Sequence, residues 1–394
     1  MLTDKHLFLF RGNLMNRASI LAGDLAEASK KLIAWNQHSS GGYVASPLFS
    51  HYGFSWLRDG SFIAFGMDCA GETNSAELFY DWVRRILETK AGYIRELIEK
   101  KKRGEQPQRQ EMLHTRYHLD GRDDTGSDWG HFQLDGYGAW LWGLAEHLKR
   151  TGQTHIPQIY RTSVEVTCDY LRTFWRMPNF DCWEENADHV HSSTLACIYG
   201  GLRHIAELEE NEALEEVCRD IQAFILENAV HPDGHFVKYV TPIQVESGLR
   251  FEIGHPGVDA SLFWLCEPFR VVTADHPAFR TTLRKIEREL RTDQGGIRRY
   301  ADDSYYGGGE WLLLTAWYGW IQLRIGNKDK AERALSWIVS KADRLGRLPE
   351  QVPDALASRE RYDEWVGRWG TPALPLLWSH AMYLVLYNML KEDG

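Results

Sequence analysis

Residues 135–148 read DGYGAWLWGLAEHL, and their spacing decides the fold. Wound at 3.6 residues per turn, Tyr137, Ala139, Trp140, Leu141, Trp142, Leu144 and Ala145 fall on nearly every side of a helix. A helix that is apolar all round belongs inside a protein, covered on each face by other elements. The same holds for SSTLACIYGGL at 192–202 and EWLLLTAWYGWIQL at 310–323. Other stretches differ. ASILAGDLAEASKKLIAW at 18–35 and AELFYDWVRRILETK at 76–90 join one apolar stripe to one charged face, the pattern of a half-exposed helix.

Helical period recurs from end to end, and strand signals are sparse. Twelve segments are predicted, near 16–36, 58–70, 75–90, 135–151, 155–176, 190–209, 211–228, 258–269, 276–291, 310–325, 327–344 and 373–391. Thr73, Asn74 and Ser75 supply capping side chains for the third, and NKDK at 327–330 turns the tenth into the eleventh. Half-exposed and buried segments alternate. That alternation predicts two concentric rings, six helices outside and six inside: an all-α (α/α)6 barrel. One closed pair of rings uses nearly the whole length, so residues 1–394 are expected to form a single domain. Two charged stretches stand apart. ELIEKKKRGEQPQRQEM (96–112), with Pro107 inside it, reads as a surface excursion, and ELEENEALEE (207–216) as a solvated helix junction.

Composition narrows the function. The chain is 43% hydrophobic and 25% charged, an ordinary globular balance. Its net charge of −10 and pI near 5.9 exclude a generic binder of nucleic acid or anionic membrane, which needs clustered Lys and Arg. No stretch approaches 18 apolar residues, so no membrane span is expected. MLTDKHLFLFRGNLMNR at the N-terminus has too short an apolar run before Arg11 for a secretion signal. Cys69, Cys168, Cys182, Cys197, Cys218 and Cys266 are scattered without zinc spacing. No metal or cofactor is expected, and the cysteines read as free thiols of a reducing, cytoplasmic compartment. Tryptophan is the outlier, with 16 copies beside 17 Tyr and 16 Phe. Most should fill the core, and a surplus suits the flat, partly apolar faces of sugar rings.

The stretches without clean helical period are rich in Trp, Gly and charge. They are HYGFSWLRDGS (51–61), LDGRDDTGSDWGHFQLDGYG (119–138), NFDCWEENADH (179–189), EIGHPGVDAS (252–261), GGIRRYADDSYYGGGEW (295–311) and GRLPEQVPDA (346–355). All six lie on an outer-to-inner connection, so all six emerge at one end of the barrel, where a deep pocket is expected. Hydrolysis of a glycosidic bond needs two carboxyl groups on opposite sides of the scissile carbon, one of them protonated. Trp183-Glu184-Glu185 sets carboxyls beside an indole and beside each other, which holds a proton by desolvation and like-charge repulsion. The second carboxylate should come from a distant loop, and Glu350 follows Pro349 in one.

Taken together these loops resemble glycoside hydrolase family 15, the glucoamylase, glucodextranase and trehalase-like inverting enzymes, from about residue 50 to 385. SWLRDGS matches a W-x-R-D signature, which implies that Trp56, Arg58 and Asp59 hold the terminal glucose; a guanidinium and a carboxylate suit its hydroxyls. Tyr52 matches a tyrosine near the attacked carbon. WGHFQLDG resembles W-G-x-P-Q-x-D-G and puts Trp129 near the bond being cleaved, although His131 and Phe132 depart from the fungal Arg-Pro. WEE resembles the acid motif, implying Glu184 as general acid, with Trp183 beside it and Glu185 in the +1 site. RYADDSYYGGGEW implies that Arg299 binds hydroxyls and Trp311 lines the pocket, with Glu310 in place of a common proline. PEQ resembles the base motif and implies Glu350 as general base. WSHAMYL near the C-terminus is similar to the family's closing helix.

The resemblance implies an exo-acting, inverting α-glucosidase that releases β-glucose from short α-glucosides, with the two carboxyls roughly 6.5–9.5 Å apart. Isomaltose-type and maltose-type substrates both fit, and a trehalase-type member is an alternative. So are a catalytically silent glycan-binding or regulatory barrel and another (α/α)6 enzyme, such as a sugar epimerase or terpene cyclase. The 16 histidines form no evident epimerase pair, and DGRDDTGSD fits neither D-D-x-x-D nor D-x-D-D.

Overall fold

The computed structural model describes residues 21–246 and 248–393. In chain order the elements alternate between the two rings. Outer α1 (Ala22–Trp35) leads to inner α2 (Leu57–Cys69), α3 (Thr73–Lys102) to α4 (Asp135–Arg150), and α5 (Arg161–Phe174) to α6 (Ser192–Glu209). Outer α7 (Glu212–Asn228) leads to an inner 3-10 segment, Ala260–Leu265, and α8 (Pro277–Glu289) to inner α9 (Leu312–Arg324). Outer α10 (Lys328–Ser340) is followed by α11 (Arg359–Trp369), then by inner α12 (Leu377–Glu392). The inner ring closes on itself: α2 packs on α4, α4 on α6, α6 on the 3-10 segment, that segment on α9, α9 on α12, and α12 on α2. The fold is therefore the expected (α/α)6 barrel. No helix among the described residues is long and apolar enough to cross a membrane.

The barrel axis is filled by aromatic rings from five inner elements. Phe62 stacks on Trp378 at 5.5 Å and lies within 4.8–5.6 Å of Trp142, Trp264 and Trp317. Here the tryptophan surplus goes mostly into core, since each ring buries a large apolar area and packs edge-to-face with its neighbours. Helices α4 and α6 touch backbone to backbone. A Cβ on Gly138 would stand 2.4 Å from Cys197 O, and one on Gly201 would stand 2.4 Å from Gly138 O.

Several segments differ from expectation. The eighth, predicted over 258–269, is only the 3-10 turn Ala260–Leu265. Asp259 caps its start, and Pro268 has no N–H and restricts the residue before it, so no longer helix fits between them. The fifth begins at Arg161 rather than 155, after Pro157 and a 3-10 turn. The start of the first, 16–20, lies outside the described residues. Much of the 96–112 excursion is helix, because α3 runs on to Lys102. The 207–216 junction lies between α6 and α7 as expected. A hairpin was not foreseen: β4 (Tyr239–Val245) pairs antiparallel with β5 (Gly248–Ile253), and β3 (Val190–His191) pairs with β4. Pro242 lies inside β4, and proline argues against a strand in sequence.

Candidate active site

All six connections from an outer to an inner element contain the same turn. In the first, His38 N–H donates to Gly42 O at 2.9 Å and Gly41 N–H donates to His38 O at 2.8 Å. The same two bonds close 118–122, 181–185, 231–235, 292–296 and 343–347. The fourth residue has a left-handed backbone each time: Gly41, Gly121, Gly234, Gly295 and Gly346, but Glu184 in the third turn, with φ of 66°. Glycine takes that conformation without a Cβ clash, whereas another L-residue pays about 1–2 kcal/mol. Asp181 supports the strained turn by accepting the Trp183 and Glu185 N–H groups on Oδ1 at 2.9 and 2.8 Å.

The third turn, with stretches that follow the others in the chain, lines a cavity of about 1070 Å³ at one end of the barrel. Tyr52, Trp56, Arg58, Asp59, Trp129, Trp183, Glu184, Glu185, Arg299, Trp311 and Glu350 all line it. Trp378, stacked on the aromatic plug, lines it as well. Short strands deliver two of the tryptophans. β1 (Ser55–Trp56) pairs with β2 (Arg116–Tyr117), and β6 (Glu310–Trp311) with β7 (Gln351–Val352), so that Trp56 and Trp311 each sit where an inner helix begins.

Glu184 and Glu350 have different surroundings. Glu184 Oε1 accepts from Trp56 Nε1 at 2.7 Å and from Gln133 Nε2 at 3.0 Å, with Arg58 Nη2 3.8 Å away. Arg58 is buried, donates to Gln133 and pairs with Asp135 at 2.9 Å. Burial pushes neighbouring Asp59 up to about 7 against the pull of Arg58. Glu350 accepts the Tyr52 and Tyr305 hydroxyls, each at 3.1 Å, and these hydroxyls lie 2.8 Å from each other. Burial pushes Glu350 up to about 7, with the two hydroxyls and Arg299 acting the other way. Its loop is tied down by Glu350 N–H to Ala373 O and by Leu348 N–H to His380 Nε2, both 2.9 Å. Nε2 therefore carries no proton, and Nδ1–H donates to Ser29 Oγ at 2.8 Å; burial keeps His380 neutral, its pKa pushed down to about 3.

Glu185 accepts from Tyr300 at 2.7 Å and from Arg299 at 3.4 Å. Arg299, paired with Asp303 at 2.8 Å, lies 5.0–5.3 Å from the rings of Tyr305, Trp183 and Trp311. The Arg116 guanidinium covers Trp129 at 3.8 Å and Trp56 at 4.9 Å. His131 lines the cavity stacked on His114 at 3.9 Å, and burial pushes its pKa down to about 4. Glu310 does not line the cavity. Its Oε1 accepts Thr292 Oγ1–H and the Gly296 N–H, tying the fifth turn to β6, which accounts for the residue at that place.

Sequence reasoning missed Tyr305 although it quoted the motif that contains it. It also missed α11, which presents Trp365, Arg368 and Trp369 to the cavity mouth. No residue of α11 is buried, so it lacks the apolar stripe by which helices are recognised. Arg109 and Met112, inside the supposed excursion, line the cavity too.

A family model described as "Glycosyl hydrolases family 15" matches residues 24–388. The chain belongs to this family. It is a glycoside hydrolase, which sets aside the silent-barrel, epimerase and cyclase readings. An isomaltose glucohydrolase of Kribbella flavida is 41% identical over 93% of this chain and 92% of its own. Trehalase 2 of Sulfolobus acidocaldarius is 25% identical over 82% of this chain and 58% of its own. Among solved structures, a glycosidase in complex with glucose has a TM-score of 0.86 and 39% identity, covering 94% of this chain and 97% of that one.

Proposed function

We propose that the protein is an inverting, exo-acting α-glucosidase, one catalytic barrel that releases β-glucose from the non-reducing end of short α-glucosides, isomaltose before maltose or trehalose. The observation that carries the reading is the entry of Glu184 and Glu350, from loops far apart in sequence, into one cavity with unlike hydrogen-bond surroundings. Similarity to the isomaltose glucohydrolase supports the substrate order. The cavity is floored by Trp378 and the aromatic plug, which suits removal of one terminal sugar. The six free thiols suit a reducing compartment, and the cytoplasm is the proposed location.

Arg58 and Asp59 hold hydroxyls of the terminal glucose, and Glu185 with Arg299 holds the sugar that leaves. Glu184 donates its proton to the glycosidic oxygen as the bond to C1 breaks. Glu350, steadied by Tyr52 and Tyr305, takes a proton from the water that attacks C1 on the opposite face. Two proton transfers give a bell-shaped pH dependence. Proton NMR of the newborn anomer from isomaltose, maltose, panose and trehalose tests the reading. β-Glucose, fastest from isomaltose, is the expected result; α-glucose excludes the inverting assignment, and release from trehalose first excludes the substrate order. Glu184→Gln and Glu350→Gln should each lose about 10²–10⁴ in kcat.

A further inference from the structure

Three carboxylates on the acid side of the cavity converge on one ammonium. Lys238 Nζ stands 3.2 Å from Asp259 Oδ2, 3.3 Å from Asp181 Oδ2 and 3.6 Å from Glu185 Oε2. It also lies 3.9 Å from the centre of the Tyr300 ring. Lys238 is 6% exposed, Asp181 1% and Asp259 0%, so these charges meet away from water. The Lys238 carbonyl accepts the Ser192 N–H at 3.0 Å, anchoring the backbone to the start of α6.

Each partner of Lys238 also touches the strained turn. Asp181 opens it and accepts two of its N–H groups. Asp259 accepts the Trp183 indole N–H at 2.9 Å. Glu185 closes it. Burial would raise Asp181, yet it lies below the ordinary carboxylate value because Lys238, then His191 and Arg299, favour its charged form. Removing a cation from such a group leaves buried charges uncompensated, which is strongly destabilising.

We propose that Lys238 is the positioning residue of the acid turn: its charge holds Asp181 and Asp259 side by side, and through them fixes the left-handed backbone that presents Glu184 to the cavity. The proposal rests on Glu184 being the general acid. Lys238 does not line the cavity. Without it the two carboxylates repel each other and the turn shifts, and a displacement of about 1 Å at a catalytic group costs roughly 10²-fold.

The test compares Lys238→Met and Lys238→Arg with wild type on isomaltose and on α-glucosyl fluoride. Fluoride needs far less proton donation than an alkoxide to depart, so a misplaced acid spares the second substrate. Lys238→Met should lose about 100-fold in kcat on isomaltose and less than about fivefold on the fluoride. Lys238→Arg, which keeps the charge, should stay within about tenfold of wild type on both. Glu184→Gln serves as the reference and should show the same selectivity. Equal losses on both substrates, or none on either, overturn the proposal while Glu184→Gln remains selective. If Glu184→Gln itself loses both alike, the acid assignment is wrong and the proposal falls with it. If Lys238→Met does not fold, Lys238→Met with Asp259→Asn removes one charge of each sign and is judged by the same two outcomes.

Discussion

Replacing Glu350 with glutamine should stabilise the fold at pH 8 and leave it nearly unchanged at pH 4. The Glu350 pKa stands at about 7, against an ordinary 4.5, chiefly through burial. A carboxyl with a raised native pKa holds its proton more tightly folded than unfolded. Its contribution is complete below about pH 4.5 and is lost as pH rises through 7. At 1.36 kcal/mol per pH unit, keeping the charged form in the native site costs about 3 kcal/mol above pH 7. Glutamine mimics the protonated shape, and its carbonyl oxygen still accepts a tyrosine hydroxyl. For 394 residues the unfolding entropy is about 0.8 kcal/mol/K, so the melting temperature should rise by about 4 °C at pH 8. Calorimetric melts of both proteins at the two pH values measure it. Asp59, also raised to about 7, is present in both proteins, and its charge adds to the rise of Glu350. A melting temperature at pH 8 that is unchanged or lower in the variant refutes the reasoning. So does a gap of equal size at pH 4, which would reflect packing rather than charge. On the proposed mechanism the stabilised variant should be nearly inactive, because glutamine cannot take the proton from water.

Three further outcomes follow from the geometry. Tyr305→Phe removes a hydrogen bond to the charged form of Glu350, so the acidic limb of kcat/KM should move to higher pH by about 0.5–1 unit, read from pH-rate profiles; an unmoved limb would show that the hydroxyl does not steady the base. Glu184→Gly should be more stable than Glu184→Ala by about 1 kcal/mol in urea titrations, because only alanine meets the left-handed strain; the usual order, alanine ahead, would mean that the turn relaxes. Gly201→Ala drives a Cβ to 2.4 Å from Gly138 O and should cost about 2–3 kcal/mol, seen as a lowered melting temperature with kcat little changed in the folded fraction; a neutral effect would mean that α4 and α6 separate freely.

Much of the candidate site was legible because its residues lie in runs of neighbours in the chain. Trp56, Arg58 and Asp59 sit in one stretch, Trp183 to Glu185 in another, and each side chain is placed by backbone close to it in the chain. Lys238 was not legible. It stands alone in sequence before β4, and its meaning comes from Asp181 and Asp259, which only the folded chain brings to 3.3 and 3.2 Å. The repeating turn had a trace in sequence, a glycine fourth in HSSGG, HLDGR, HPDGH, TDQGG and DRLGR. DCWEE breaks that pattern at Glu184, and the break became visible once the backbone bonds aligned the six turns.

The sequence alone determined the ring architecture, because helices that are apolar all round have to lie inside helices with one charged face. It determined that the site lies at one end, since every irregular stretch follows an outer segment and precedes an inner one. Tertiary structure decided the rest. The helical span at 258–269 shrank to a 3-10 turn between a capping aspartate and a proline, and a hairpin formed through Pro242 because neighbouring strands offered it partners. The cavity's electrostatics were decided there too. Whether Glu350 holds its proton depends on water being excluded and on two tyrosine hydroxyls arriving from loops far away in the chain, and desolvation is a property of the assembled interior, not of any local run of residues.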